Sequence, residues 1–260
     1  MLATDLDGTL VGDDAALHGF AQWRAAASDR VMVAYVTGRS LPSTLALIRA
    51  VGLPEPEFIL PGLGSAIHVG PAWRAHRPWQ RHLARGWDRD RVRAVAARYP
   101  QVVAQPDENQ GPFKCSFTLS RDHAETVLTG LSTDFQRNRI PARAVYSSRR
   151  GLDLIPAHGG KGNAVRCLAR YLGLPLSRVL ACGDSGNDRD MLALGCLAAI
   201  VANAQPELQD DLPDHVYRAK SAFVGGVMDA LEHYGWLTGD LPNRAVGTRG
   251  QAPLLPKESR

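Results

Sequence analysis

The sequence predicts an α/β fold, a parallel sheet covered by helices with a smaller α/β lobe inserted into it. Two apolar runs of strand length, residues 31–36 and 179–182, are each followed by helical periodicity, over 41–51 and 188–194. Strands buried on both faces read as continuous apolar runs, and strand–helix alternation implies parallel neighbours joined by crossovers. The third observation is a change of texture. From Arg74 to Arg98 arginines crowd a helical stretch, and alternating segments such as Phe113-Lys-Cys-Ser-Phe117 follow. The expected division is a core of 1–73 and 152–238, an inserted lobe of 74–151, and a tail of 239–260 that mixes Pro, Gly and Arg without periodicity.

Composition allows this architecture. A chain of 260 residues, 45% apolar and 22% charged, can bury a real core. Its 30 basic and 26 acidic residues give +4, too mild a balance to require a nucleic-acid partner. No apolar run approaches the roughly 20 residues that cross a bilayer, and Met1-Leu-Ala-Thr-Asp5 has no basic region before an apolar stretch. A cytoplasmic protein without membrane contact is expected. Cys115, Cys167, Cys182 and Cys196 show no C-x-x-C spacing and read as reduced and buried.

Four polar clusters stand at strand ends. Asp5-Leu-Asp7-Gly-Thr9 follows almost at once on Met1-Leu2-Ala3, so either the first strand is very short or the chain begins where a longer one was cut. Two carboxylates projecting to one side of a strand end can divide attack and proton transfer between them. Val36-Thr37-Gly38-Arg39-Ser40 offers a hydroxyl and backbone N–H groups at a helix start, a place for a phosphate oxygen. Lys161 lies in His158-Gly-Gly-Lys-Gly-Asn163, which is not a P-loop because Gly162 stands where Ser or Thr is required. Gly183-Asp184-Ser185-Gly186-Asn187-Asp188 supplies hard oxygen ligands of the kind Mg²⁺ takes. Each has an ordinary explanation as a turn, a helix cap or a solvated lysine. Together, at the carboxyl ends of parallel strands, they converge on one crevice.

These four clusters resemble the motifs of the haloacid dehalogenase superfamily of aspartate-dependent phosphohydrolases, at Asp5/Asp7, Thr37, Lys161 and Asp184/Asp188. The chain is closer still to the sucrose-phosphate phosphatase branch. The likeness includes Leu63-Gly-Ser65, Pro112-Phe-Lys114 with Ser116, Ser147-Ser148, Leu152-Asp-Leu-Ile-Pro156, Asn203-Ala-Gln-Pro-Glu-Leu208, Tyr217-Arg-Ala219 and His233 to Leu237. The chain departs from the branch at Gly8, where Asn is expected, and at Ala66, where an acidic residue is expected.

The resemblance implies a Rossmann-like core of haloacid dehalogenase fold, with the inserted lobe as a cap that excludes water from the reacting phosphorus. It implies Asp5 as nucleophile, Asp7 as general acid and then base, and Thr37 and Lys161 on the phosphoryl oxygens with the Gly8 and Gly38 N–H groups. Mg²⁺ is implied at Asp5, the Asp7 carbonyl and Asp184, with Asp188 and Asn187 orienting its waters. Arg39, Ser65, Lys114, Ser147, Ser148 and Arg150 are the expected substrate contacts. Alternation puts Phe113 and Cys115 on one face and Lys114 and Ser116 on the other, while the arginine-rich helix reads as a solvated face.

The implied reaction is hydrolysis of a sugar phosphate, sucrose 6-phosphate first, or another glycosyl phosphate of mannosylfructose or glycosylglycerol type. A sucrose-phosphate synthase is a possible partner or fusion. Two rivals from the same superfamily are a phosphohexomutase and a non-catalytic domain partnering a synthase, the latter opposed by the full set of motif residues. Gly183-Asp-Ser-Gly186 also resembles a serine-protease nucleophile loop, but the α/β texture and reduced cysteines oppose that all-β, usually disulfide-bonded class.

Overall fold

The computed structural model describes residues 1–13, 16–209 and 212–237, so the expected tail of 239–260 lies outside the described residues. In chain order the elements are β1 (Leu2–Thr4), α1 (Leu17–Ala26), β2 (Val33–Val36), α2 (Leu41–Val51), β3 (Phe58–Leu60), a distorted turn α3 (Pro61–Gly64), β4 (His68–Val69), β5 (Arg74–Ala75) and α4 (Arg77–Leu83). The middle of the chain forms α5 (Arg89–Ala96), β6 (Val103–Ala104), β7 (Cys115–Thr118), α6 (Arg121–Arg137), β8 (Ala142–Ser147) and β9 (Gly151–Pro156). The chain continues through α7 (Lys161–Tyr171), β10 (Leu180–Gly183), α8 (Arg189–Leu192), β11 (Leu197–Ile200), α9 (Pro206–Gln209), β12 (Tyr217–Arg218) and α10 (Phe223–His233).

The larger sheet has eight strands in the order β12-β11-β10-β1-β2-β3-β4-β5. It is parallel from β12 to β3 and ends in antiparallel pairs at β4 and β5. The first strand is indeed very short. It holds its central place because Leu2, Ala3 and Thr4 pair with β10 on one side and β2 on the other, and all three are fully buried. Alternation sends Leu2 into one apolar layer, with Phe20 and Trp23 of α1 and Leu231 of α10, and Ala3 into the other, with Val165 and Leu168 of α7. The helix expected over 41–51 forms there. Ser40 accepts the Ser43 N–H at its start, and Gly52 at φ 68° closes it in the left-handed conformation that favours glycine.

The second sheet has four antiparallel strands in the order β6-β7-β9-β8. Cys115, Phe117, Leu152 and Leu154 face α5 and α6, burying Val92, Val127, Leu131 and Phe135. The opposite face carries Ser116, Arg143, Val145, Asp153 and Ile155 and, next to β7, Lys114. Members of this set line the clefts against the core.

Pairing divides the chain at different residues from those the sequence pattern marked. Residues 74–75 extend the large sheet as β5. Helix α4 packs with the core as well, because Leu83 and Trp79 are buried in its apolar layer and the Trp79 indole N–H donates to the Gly64 carbonyl at 2.8 Å. All of β9, to Pro156, lies in the small sheet. The arginine-rich stretch is therefore two helices on different bodies rather than one, and Arg77, Arg81, Arg85, Arg91 and Arg93 are exposed. The helix expected over 188–194 is shorter, four residues after a 3₁₀ turn at Gly186–Asp188.

All four cysteines are free. Three are buried and Cys167 is half-buried. Among the described residues no helix is long and apolar enough to cross a membrane.

Candidate active site

The crevice lies at the carboxyl ends of the central parallel strands. Asp5 follows β1, Thr37 follows β2, Asp184 follows β10, and Lys161 opens α7. A parallel sheet carries successive strand ends to one edge, so residues far apart in sequence meet there. The Lys161 side chain is fully buried and its ammonium donates to Asp5 Oδ1 and Asp188 Oδ1, both at 2.7 Å. Asp188 Oδ2 accepts the backbone N–H groups of Asp184 and Ser185 at 3.1 Å each. Both Asp188 oxygens thus shape the loop and hold the lysine. Thr9 donates its hydroxyl to Asp184 Oδ1 at 3.0 Å.

Gly8, at φ 81°, sits against this cluster, and a Cβ there would stand 2.5 Å from Asp184 Oδ2. In this arrangement the position has room only for glycine. Thr37 is fully buried, its hydroxyl oxygen accepting the Arg39 N–H at 3.2 Å.

Carboxylate oxygens of Asp5, Asp184 and Asp188 lie within 4.8 Å of one another. Burial drives the Asp5 carboxyl well above the usual range; Lys161 pulls it back, while Asp188 and Asp184 push it further up. Burial, then Asp188, raises Asp184 from 3.8 to about 6. Burial works against the Lys161 ammonium, but Asp188 and Asp5 outweigh it and its pKa rises. Three crowded carboxyls share a single buried ammonium, an arrangement short of positive charge and built of hard oxygen donors.

Above this floor is a cavity of about 430 Å³. Asp5, Asp7, Gly38, Arg39, Ser40, Ser43, Asp184, Ser185 and Asn187 line it from the core, and Gln105, Glu108, Asn109, Lys114, Ser148 and Asp153 from the smaller sheet and its loops. Lys114 is buried facing the core. Its ammonium lies 3.4 Å from the Gly38 carbonyl and 3.5 Å from Asp153 Oδ1. Ser116 is committed within the lobe, its hydroxyl 2.6 Å from Asp153 Oδ1 and 2.8 Å from the Asn109 carbonyl. The Asn187 side-chain oxygen is buried without a partner.

Several expected substrate residues are placed elsewhere. The Ser65 hydroxyl turns to the Pro61 carbonyl at 3.4 Å. Arg150 lies with Arg121 and Arg149 on a separate surface hollow. The Ser147 hydroxyl oxygen is 3.5 Å from the Asn187 amide nitrogen, outside the cavity lining. Arg39 lines the cavity but is engaged by Asp7. Conversely, Gln105, Asn109, Ser43 and Asp153, which belong to none of the four motif clusters, line the cavity. Asp153 carried a signal, as the lone charge in the apolar run 152–156; Gln105 and Asn109 lie in a polar, aperiodic loop that carried none.

The fold that brings these residues together is the haloacid dehalogenase fold, and its relatives make the chain a phosphoric monoester hydrolase. Within that class the chain belongs to the sucrose-6F-phosphate phosphohydrolase family, which it matches over residues 1–235.

It is 33% identical over 243 residues to the mannosylfructose-phosphate phosphatase of Agrobacterium fabrum, covering 90% of this chain and 96% of that protein. To sucrose-phosphatase 2 of Nicotiana tabacum it is 31% identical over 251 residues, 90% of this chain but 58% of the tobacco protein. The fold superposes on the sucrose-phosphatase of Synechocystis sp. PCC6803, solved with sucrose and phosphate, with a TM-score of 0.85 and 34% identity over 89% of this chain and 96% of that one.

Proposed function

We propose that this enzyme hydrolyses a glycosyl sugar phosphate, sucrose 6-phosphate foremost, through an aspartyl phosphate formed on Asp5. The observation that carries the reading is the buried Lys161 ammonium bridging Asp188 to Asp5, which lines the floor of a cavity whose roof is lined by Lys114, Asp153, Gln105 and Asn109. A phosphate needs the floor; a polyhydroxyl group suits the roof.

The chain's own groups divide the work. Asp5 attacks phosphorus, and the bond to the sugar oxygen breaks as Asp7 protonates that oxygen. Asp7 then takes a proton from the water that hydrolyses the acyl phosphate, which returns Asp5 as carboxylate and releases inorganic phosphate. Lys161, the Thr37 hydroxyl and the Gly38 N–H neutralise and bind the phosphoryl oxygens. The roof residues hold the sugar and keep bulk water from the phosphorus.

The oxygen donors and the shortage of positive charge fit a Mg²⁺ ion held by Asp5, Asp184 and the Asp7 carbonyl. When bound it supplies charge neutralisation to the phosphoryl group. Asp188, whose two oxygens are occupied by protein donors, supports that set from behind.

The relative from Agrobacterium fabrum, matched over 96% of its length, favours a second substrate, mannosylfructose phosphate. A phosphate-release screen with Mg²⁺ over sucrose 6-phosphate, mannosylfructose phosphate, glycosylglycerol phosphates and hexose phosphates tests both. The reading expects a disaccharide phosphate to exceed the hexose phosphates in kcat/KM by about tenfold or more, the worth of a few roof hydrogen bonds. Isomerised sugar phosphate without free phosphate would replace the hydrolase by a mutase.

A further inference from the structure

The segment Asn203-Ala-Gln-Pro-Glu207 takes no part in the phosphate chemistry, yet it touches three parts of the site. Asn203 donates its side-chain amide to the Gly8 carbonyl at 2.7 Å, and the Gln205 N–H donates to the Asp184 carbonyl at 2.7 Å. The third contact leaves the core. Glu207 Oε1 accepts the backbone N–H of Ser148, at the tip of the β8–β9 hairpin, at 2.9 Å.

That tip is not a turn its residues prefer. Ser148 and Arg149 lie at φ 53° and 55°, in the left-handed region where such hairpin turns normally carry Asn or Gly. The Arg150 N–H closes the turn onto the Ser147 carbonyl at 3.2 Å. Below it the backbone approaches closely, since a Cβ on Gly186 would stand 2.7 Å from the Tyr146 carbonyl oxygen and 3.4 Å from Glu207 Cγ. The second Glu207 oxygen is buried without a partner. A carboxylate kept half-satisfied beneath a strained backbone turn is placed for the contact it makes.

Other bridges that join the lobe to the core include Lys114 to the Gly38 carbonyl at 3.4 Å, Arg143 to Asp190 at 2.6 Å and the Ser147 hydroxyl with the Asn187 amide at 3.5 Å. Each of these depends on a lobe side chain. Glu207 grips main chain, at a residue that itself lines the cavity.

We propose that Glu207 is a positioning residue for closure of the smaller lobe: by holding the Ser148 N–H it seats the hairpin tip over the cavity, while itself touching neither phosphate nor sugar. Its kinetic consequence rests on the sugar-phosphatase reading; its structural consequence does not.

Two variants test it, Glu207→Ala, which removes the acceptor, and Glu207→Gln, which keeps an acceptor oxygen in place. The exposed Arg149 and Arg150 make the tip a trypsin site. In Glu207→Ala, cleavage there should accelerate about tenfold relative to cleavage at Arg91 and Arg93 on α5, the worth of one charge-assisted hydrogen bond, and Glu207→Gln should restore most of the protection. KM for the preferred sugar phosphate should rise by a similar factor in Glu207→Ala. Its kcat, and both constants for p-nitrophenyl phosphate, which does not reach the lobe, should stay near wild type. Unchanged cleavage at the tip overturns the proposal, and so does equal acceleration at all sites with a lowered Tm, which makes Glu207 a general stabiliser. If the wild type hydrolyses no sugar phosphate, the function reading fails, and the digestion alone decides the role of Glu207.

Discussion

Arg39 holds Asp7 by both carboxylate oxygens, Nε to Oδ2 at 2.7 Å and a terminal guanidinium nitrogen to Oδ1 at 2.6 Å. Its other terminal nitrogen donates to the Ser43 hydroxyl at 3.1 Å, at the start of α2. The two side chains are 35% and 50% exposed, so the pair contributes at most about 1 kcal/mol to stability. What the fork does is fix the direction of the carboxylate expected to move protons.

Arg39→Ala should therefore lower kcat on the preferred sugar phosphate by about tenfold, a fraction of the roughly 10²–10⁴-fold that a general acid–base group supplies, with Tm almost unchanged. Arg39→Lys, which keeps the charge without the fork, should recover only part. A rise in KM with kcat intact would instead return Arg39 to the sugar, where the sequence had placed it.

Asp5→Asn and Lys161→Ala should both abolish turnover, but for reasons that stability separates. The amide at residue 5 cannot form an acyl phosphate, yet it relieves a carboxyl that burial already disfavours as an anion, so the fold should survive. Removing the lysine leaves Asp5 and Asp188 facing each other without a cation, a loss of about 3–5 kcal/mol for breaking a buried pair. Denaturant midpoints alongside phosphate release check this, and a Lys161→Ala protein as stable as wild type would contradict it.

Mg²⁺ binding should be linked to pH through Asp184. Its folded-state pKa is raised from 3.8 to about 6, so the metal-free fold holds this proton more tightly than the unfolded chain does. That contribution to stability is present below about 4 and is lost as pH rises toward 6. Above 6 the carboxylate is free to bind the ion. Added Mg²⁺ should therefore raise Tm more at pH 7 than at pH 5, and an equal increment at both would exclude Asp184 from the metal set.

Much of this site was legible because its residues sit at strand ends and in local motifs. Strand–helix alternation places Thr37 and Asp184 at strand ends and the motif resemblance adds Asp5 and Lys161; in the structure Asp5, Thr37 and Asp184 follow β1, β2 and β10, and Lys161 opens α7. What the sequence hid depends on packing between bodies. Nothing local marks Arg39 as the partner of Asp7 rather than of a ligand, because the two meet only when β1 and β2 pair. The packing of residues 74–83 with the core is hidden for a similar reason. The arginines of α4 and α5 look alike, and only the burial of Trp79 and Leu83 assigns α4 to the core.

Lys114 offers the sharpest test of the roof. Alternation along Pro112-Phe-Lys-Cys-Ser116 puts Phe113 with Cys115 and Lys114 with Ser116. The strand begins only at Cys115, so Phe113 packs against the large-sheet core while Cys115 enters the lobe core, and the lysine turns inward, 7% exposed, toward Gly38 and Asp153. Asp153 also lies within hydrogen-bond distance of the Ser116 hydroxyl, so the lysine is held in place rather than free to reach solvent. An ammonium buried beside a single carboxylate and a carbonyl retains donor capacity for a hydroxyl placed between the sheets. Lys114→Ala should raise KM for the preferred sugar phosphate about tenfold and leave p-nitrophenyl phosphate hydrolysis nearly unchanged, because the small ester ends below the roof. Asp153→Asn, which loosens the lysine without removing it, should show the same selectivity with a smaller rise. Equal losses on both esters would place Lys114 in the phosphate site, and an unchanged KM on both would make its contact with Gly38 a matter of packing alone.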